Sequence, residues 1–323
     1  MRVLVCGAGI QGSYLSARLL DADIDVTLLA RGARFDEIQE YGMRYTLQPS
    51  ASVLQAKVPV VSTIDSTDLY NLIIVAMQKQ QAIRFSSSLI AHATHSTVLF
   101  LGNNGTGISD FENSVPPDNI VLGFLGVAGN REDDHIRVSV QDPPKVYLGA
   151  PLHTPSSRIE QVASLFRGIG FQPSIEKNID AWLKCHLALV LPIVGAIYGA
   201  DSDNYRLART PGLLRLMWRG LKEAFKVIRK LGYPVVPRSL SLLSRMPEWM
   251  AMRFLHSRLG TLEAEISLAG HARAAREEMQ HLASEFQVLV AESGLATPNI
   301  EMLNQYLDPG VPSVPDGAEQ GPH

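Results

Sequence analysis

The sequence predicts an α/β domain with a mostly parallel sheet in its first half and an all-α domain in its second. Three observations carry this reading. Short β-rich runs alternate with amphipathic segments through the first half, strand signals stop after about Ser174, and long stretches with apolar residues at helical spacing follow. The 323 residues suit two domains at a prior of ~150 residues each, and each is long enough to bury a core. The boundaries fall at 1–175 and 176–307, with a disordered tail expected over 308–323.

The strands expected in order are Arg2 to Cys6, Asp25 to Ala30, Asn71 to Met77, Ser96 to Leu101 and Asn119 to Leu125. Each is a short aliphatic run, the pattern of a strand covered on both faces. Ile10 to Asp21 and Gln81 to Ala91 carry apolar residues at helical spacing and connect them. From Arg137 to Leu148 the alternation predicts two antiparallel strands that turn at Asp142, Pro143 and Pro144 and close one edge of the sheet. In the second half, Ile179 to Tyr198, Pro211 to Leu231, Leu262 to Leu268 and Arg276 to Ser293 read as helices. The tail holds Pro309, Pro312, Pro315 and Pro322 with Gly310, Gly317 and Gly321 and few apolar side chains, which is why no order is expected there.

Composition narrows the function. Hydrophobic residues make up 46% and charged residues 19%, and the net charge of -3 leaves no global basic field for nucleic acid or anionic lipid. Neither partner is expected. The most apolar stretch, Leu187 to Ala200, is interrupted by Pro192 and is shorter than the ~20 residues of a bilayer span, so it reads as a core helix. Two cysteines, Cys6 and Cys185, are too few and too scattered for a disulfide framework or a zinc site. No metal is expected, and a reducing cytoplasm fits best. The apolar helix faces could pack within the domain or between two copies in a homodimer.

Gly7-Ala8-Gly9-Ile10-Gln11-Gly12 is a G-x-G-x-x-G that directly follows the first strand and directly precedes a helical run. That context turns a weak pattern into a dinucleotide fingerprint and makes the first domain Rossmann-like. Gly7 permits the tight turn, Gly9 lets backbone approach a pyrophosphate, and Gly12 lets the helix pack on the strand, with the helix N-terminus facing phosphate. After the second strand, an NAD enzyme usually places an acid for the ribose 2′-hydroxyl. Here the chain reads Leu28-Leu29-Ala30-Arg31-Gly32-Ala33-Arg34. A guanidinium matches a phosphate in charge and fork geometry, so NADPH is the expected cofactor, with Arg31 the main 2′-phosphate ligand and Arg34 a second.

Taken together with Asn104-Gly105 after a buried strand, Trp182 and Lys184 opening the helical half, and Glu278 sixteen residues before Gly294-Leu295-Ala296-Thr297-Pro298, these motifs resemble the ketopantoate reductase (2-dehydropantoate 2-reductase) family. The resemblance extends to about Leu307. It implies a Rossmann domain joined to a helical domain with the site in the cleft between, and hydride transfer from NADPH to the ketone of a 2-oxo acid. It further implies that Glu278 orients substrate and lysine, that Asn104 lies beside the nicotinamide and substrate, and that a lysine in the loop after the fourth strand, here Lys79, touches cofactor.

The chemistry asks for these groups independently. Reducing a ketone builds an alkoxide, which needs a proton donor within hydrogen-bond reach. Lys184 lies in an apolar helical segment, where a lysine without a partner is costly, and this favours a functional or paired role. If Leu262 to Ser293 is helical throughout, then Ser267, His271, Ala274 and Glu278, spaced by four, three and four, share one face. That face could carry a substrate pocket, with Glu277 competing for the role of Glu278.

Substrate identity turns on two departures. The positions one and two turns after Lys184, asparagine in the family, are Ala188 and Pro192, and the serine expected to hold a carboxylate falls at Ser267 rather than at the counted Ile266. A pocket for a small polyhydroxy acid loses hydrogen bonds by these changes. A bulkier ketone or an imine, with Ala188 lining the pocket, is therefore the alternative to ketopantoate on the same scaffold. A non-catalytic NADPH-binding sensor or regulator is the reading from another class.

Overall fold

The computed structural model describes residues 1–150 and 157–319, and the chain divides into two compact units, Met1–Ile179 and Asp180–His323. The strands of the first unit are β1 (Arg2–Cys6), β2 (Asp25–Leu29), β3 (Met43–Leu47), β4 (Leu54–Ala56), β5 (Val60–Val61), β6 (Leu72–Val75), β7 (Thr97–Leu101), β8 (Ile120–Leu125), β9 (Val127–Arg131), β10 (Ile136–Val140), β11 (Lys145–Gly149) and β12 (Gln172–Ile175). Its helices include α1 (Ile10–Asp21), α2 (Ala33–Tyr41), α3 (Lys79–Ser86), α4 (Ile90–Ala93) and α5 (Ser157–Gly168).

An eight-stranded sheet runs in the order β12-β11-β8-β7-β6-β1-β2-β5, parallel throughout except for the antiparallel β8–β11 pair. Val3, Leu4, Val5 and Cys6 of β1 are wholly buried, as an all-apolar central strand must be when helices cover both faces. The chain leaves β1 for β2 on one side and later crosses to β6 on the other. The end of β1 is thus the topological switch point, where α/β sheets place ligands.

A second sheet of four strands, β4-β3-β10-β9, was not foreseen from the sequence. Gly126 is the joint between the two sheets, with β8 ending at Leu125 and β9 beginning at Val127. The segment read as a hairpin from Arg137 to Leu148 is instead split. β10 pairs with β9 and β3, and β11 pairs with β8 and β12. Both strands exist, but the turn between them separates two sheets rather than joining partners. The helix expected over Gln81 to Ala91 starts two residues earlier and is interrupted by a 3₁₀ turn at Ser87–Leu89 before α4.

The second unit is helical: α6 (Ile179–Gly199), α7 (Asn204–Ala208), α8 (Pro211–Lys230), α9 (Arg238–Leu243), α10 (Glu248–Leu259), α11 (Leu262–Ala264), a π turn at Glu265–Ala269, α12 (Gly270–Ala274), α13 (Arg276–Ser293) and α14 (Pro298–Gln305). By length and composition α6 could cross a bilayer, but 78% of its apolar window is buried inside the protein. It is the central helix of the unit, longer than the apolar stretch alone suggested. Glycines let α14 approach closely, since a Cβ on Gly195 would lie 2.9 Å from the Leu303 carbonyl and one on Gly220 2.6 Å from the Leu303 side chain.

The tail is not disordered over 308–319. Val314 is 6% exposed in the helical core, and its amide donates to the Gly199 carbonyl at 2.8 Å. The Gly212 amide donates to the Ala318 carbonyl at 2.9 Å, and Arg209 forks onto Asp316. A segment poor in apolar residues is held here by backbone bonds and arginines on α7 and α8, a tertiary effect that composition does not show. Gln320 to His323 lie outside the described residues.

Candidate active site

In the first unit the glycine turn closes tightly on itself. Gly7 has φ +109°, and a Cβ there would lie 2.5 Å from the Ala76 carbonyl oxygen. A Cβ on Gly12 would lie 1.9 Å from the Gly7 oxygen, so both glycines are dictated by the protein's own packing. Gly9 differs. Its backbone is extended, at φ -75° and ψ -168°, which any residue adopts, and a Cβ there would meet nothing within 4 Å. Nothing within the chain demands glycine at this position, and the open space at the N-terminus of α1 leaves room for a ligand to approach the backbone.

The neighbours of the turn have distinct tasks. Gln11 donates from Nε2 to the Leu125 and Val127 carbonyls at 3.3 and 3.2 Å, tying α1 to the β8–β9 joint. Arg31 is exposed, with its guanidinium 5.7 Å from the centre of the Phe85 ring. Arg34 is turned inward, onto the Ala8 carbonyl, the Ser13 hydroxyl and the Glu37 carboxylate.

Two further strand ends supply a buried polar cluster. Lys79, 3% exposed at the start of α3, donates from Nζ to Asn104 Oδ1 and Thr106 Oγ1, each at 3.0 Å, and pairs with Asp110 at 2.9 Å. Its ammonium stands 4.5 Å from the centre of the Phe111 ring, which stacks on Phe100. Asn104 donates to the Gly107 carbonyl at 2.8 Å and accepts from the Thr106 amide at 3.0 Å. The asparagine therefore builds its own loop and also meets Lys79. Thr106 and Asp110 escaped sequence reasoning because their spacing fits no periodic pattern.

In the helical unit, Lys184 is 5% exposed and forms an ion pair with Asp180, one turn earlier on α6. Its ammonium lies 4.9 Å from the centre of the Tyr233 ring. Burial, and next the charge of Asp180, push the Tyr233 hydroxyl's pKa up; that hydroxyl also hydrogen-bonds Asp180. One carboxylate thus holds both the lysine and the tyrosine. The signal for Asp180 was present in the sequence as an acid four residues ahead of a lysine on a helix. Tyr233, in the loop after α8, left none.

Glu278 is 4% exposed while Glu277 is exposed, which separates the two competitors. Its charge helps to raise the Tyr198 hydroxyl's pKa, though burial is the largest cause and Arg276 opposes it. The carboxylate hydrogen-bonded to Lys184 is that of Asp180.

The condition for a shared face, a continuous helix from Leu262 to Ser293, is not met, because the segment is divided by the π turn and by Ala275, whose φ of -128° and ψ of 28° are not helical. Ser267, His271, Ala274 and Glu278 therefore do not form one continuous face, and Ala274 is exposed while Glu278 is buried. Ser267 donates its hydroxyl to the Glu263 carbonyl at 2.6 Å. Ala188, expected to line a pocket, is 0% exposed within the helical core, and Pro192 is buried facing Gly220 of α8. His271 is largely buried and its pKa is lowered by that burial. Nearby His186, stacked on Trp182 at 5.3 Å, is pushed down to about 4 by burial and by the charge of His271. His186 was not anticipated. Among the described residues no cluster of three or more His, Cys, Asp or Glu side chains could hold a metal ion.

Comparison with known proteins agrees with this architecture. Residues 3–152 match the family model described as ketopantoate reductase PanE/ApbA. A 2-dehydropantoate 2-reductase from Geobacter metallireducens GS-15 superposes with a TM-score of 0.80 at 18% identity, covering 96% of this chain and 100% of that one. A putative ketopantoate reductase from Ralstonia solanacearum MolK2 gives 0.78 at 18%, covering 95% and 96%. D-mandelate dehydrogenase, in a ternary structure with NADH and anilino(oxo)acetate, gives 0.78 at 19%, covering 95% and 97%. With the glycine turn at the switch point of the sheet, residues 3–152 are the part of the chain that matches the ketopantoate reductase PanE/ApbA family, and the solved structures show the same fold over nearly the whole chain.

Proposed function

We propose that this protein is an NADPH-dependent reductase that delivers a hydride to the carbonyl of a 2-oxo acid or related ketone, with Lys184 as general acid. The observation that carries the reading is the setting of Lys184. A lysine 5% exposed is expensive to bury, and its pairing with Asp180 offsets that cost and fixes the amine in place, as a proton donor in reach of a reacting oxygen needs. The cofactor, when bound, supplies the hydride. Gly7 to Gly12 would hold its pyrophosphate and exposed Arg31 its 2′-phosphate. Asn104, fixed by Lys79, would align the reacting carbonyl. Lys184 would protonate the developing alkoxide, and the buried carboxylate of Glu278 would orient substrate.

NADH in the D-mandelate dehydrogenase structures is the natural competitor to NADPH, and Arg31 is what favours the phosphorylated form here. A bulkier ketone or an imine is the alternative to ketopantoate on this scaffold, because Ala188 and Pro192 stand where the resembling family has asparagines. The two thiols, both free and buried, suit a reducing cytoplasm.

The test is NADPH consumption with ketopantoate, bulkier 2-oxo acids, plain ketones and cyclic imines, comparing wild type with Lys184→Ala. Turnover that depends on Lys184, with cofactor binding intact in the variant, is the expected result. Unchanged turnover in Lys184→Ala would remove the general acid. Cofactor binding without consumption across the panel would instead support a sensor.

A further inference from the structure

Arg34 and Arg31 are three residues apart and chemically alike, yet they are disposed differently. The Arg31 guanidinium is exposed. The Arg34 side chain is 13% exposed, and each of its three nitrogens is engaged. Nε donates to the Ala8 carbonyl at 3.2 Å, Nη2 to the Ser13 hydroxyl at 3.3 Å, and Nη1 to Glu37 Oε1 at 2.7 Å. Glu37 is itself fixed from its other oxygen by Arg131 at the end of β9. A phosphate arriving at Arg34 would meet a guanidinium already neutralised, with the carboxylate beside it.

The bond to Ala8 has a geometric consequence. In a trans peptide the carbonyl and the following N–H point in opposite directions. The Ala8 carbonyl, which also accepts from the Ser13 hydroxyl at 3.1 Å, is held toward Arg34, and this turns the Gly9 N–H away from Arg34. We infer that Arg34 is a positioning residue that sets the Ala8–Gly9 peptide so that the Gly9 amide faces the dinucleotide pyrophosphate, and that the choice between NADPH and NADH is left to Arg31. This rests on the dinucleotide-binding reading above. It assigns to Glu37 the task of holding Arg34 in its inward rotamer.

The two roles separate in binding experiments. Dissociation constants for NADPH and for NADH, titrated by nicotinamide fluorescence, are compared for wild type, Arg34→Met, Glu37→Gln and Arg31→Ala. Near-UV circular dichroism confirms at the same temperature that each variant is folded. A positioning role predicts that Arg34→Met weakens both cofactors by a similar factor, about tenfold for one misdirected charge-assisted bond, and leaves their ratio unchanged. Glu37→Gln weakens both to a smaller extent, whereas Arg31→Ala changes the ratio. Selective loss of NADPH in Arg34→Met, or no loss of either cofactor, overturns the inference and leaves the cofactor reading standing. If wild type binds neither dinucleotide, the cofactor reading itself fails. Should Arg34→Met not fold, Glu37→Gln decides by the same criterion, with a selective or absent effect counting against the inference.

Discussion

Gly9 and Gly12 stand in the same motif, yet the structure predicts opposite consequences for replacing each with alanine. At Gly12 the new Cβ would sit 1.9 Å from the Gly7 carbonyl oxygen. Restoring even a 3.0 Å contact moves α1 and the turn apart by at least 1.1 Å, and the obstacle is backbone, which cannot rotate away. Overpacking of this kind costs about 1–3 kcal/mol or more, against a helix-propensity gain of about 1 kcal/mol from Gly to Ala. A net loss of about 2 kcal/mol would lower Tm by roughly 4–8 °C in a unit of this size. At Gly9 no atom obstructs the methyl and the backbone suits alanine, so the loss of the glycine N-cap and the gain from a stiffer unfolded chain nearly cancel, within about 1 kcal/mol. The effect there falls on the ligand, because the methyl occupies the space of approach. Losing one charge-assisted amide-to-phosphate bond, about 1.5–3 kcal/mol, weakens the dinucleotide roughly 10- to 100-fold. Thermal unfolding without cofactor and fluorescence titration with it measure the two effects separately. Gly9→Ala binding as tightly as wild type would refute the argument, since it would mean that no phosphate approaches that residue.

Three further outcomes follow from the helical unit. Asp180→Asn removes the anion from a nearly buried lysine and should lower both kcat and Tm, with a stability loss of about 1–3 kcal/mol once the partial exposure of Asp180 is allowed for; equal kcat would show that Asp180 does not position Lys184. His186 has its pKa depressed to about 4 from an ordinary 6.5, so between those values the unfolded chain binds more protons, and stability must fall as pH drops through that window, by up to about 3 kcal/mol. Chemical denaturation of wild type and His186→Gln from pH 7 to 4 checks this, and an identical pH slope for the two would contradict it. Ending the chain at Leu307 removes Val314 from the core and the Asp316 pairing with Arg209, and should lower the denaturation midpoint by about 2 kcal/mol or more; an unchanged midpoint would mean the docked segment contributes nothing.

What the sequence disclosed and what it hid divide along physical lines. β1, α1 and α13 were legible to the residue, because an apolar run beside a glycine turn, or a long helical period, is a local signal. The four-stranded sheet was not legible. β3, β4 and β9 carry mixed side chains, with Arg44, Gln55 and Asn130 among them, and their pairing is set by partners distant in sequence. The same limit governed the site. Lys184 stood out as a charge in an apolar run and Asp180 could have been found four residues before it, but Tyr233, Thr106 and Asp110 reach their partners only through the path of the chain. The helix is not continuous around His271: Gly270 stands directly after the π turn at Glu265–Ala269, whereas the break at Ala275 has no proline or glycine to mark it.

The docked segment beyond α14 bears on how the protein is made. The last strand of the first unit ends at Ile175, so that unit's sheet can assemble while the rest of the chain is still being synthesised. The helical unit has no such early completion. Leu303, Tyr306, Leu307 and Val314 belong to its core, and the carbonyl of Gly199 at the end of α6 receives its amide partner from Val314. The most apolar helix of the protein must therefore wait for residues more than a hundred positions later before it is fully covered. In the interval α6 is the surface most in need of protection from aggregation, and premature termination near the C-terminus would leave it there permanently.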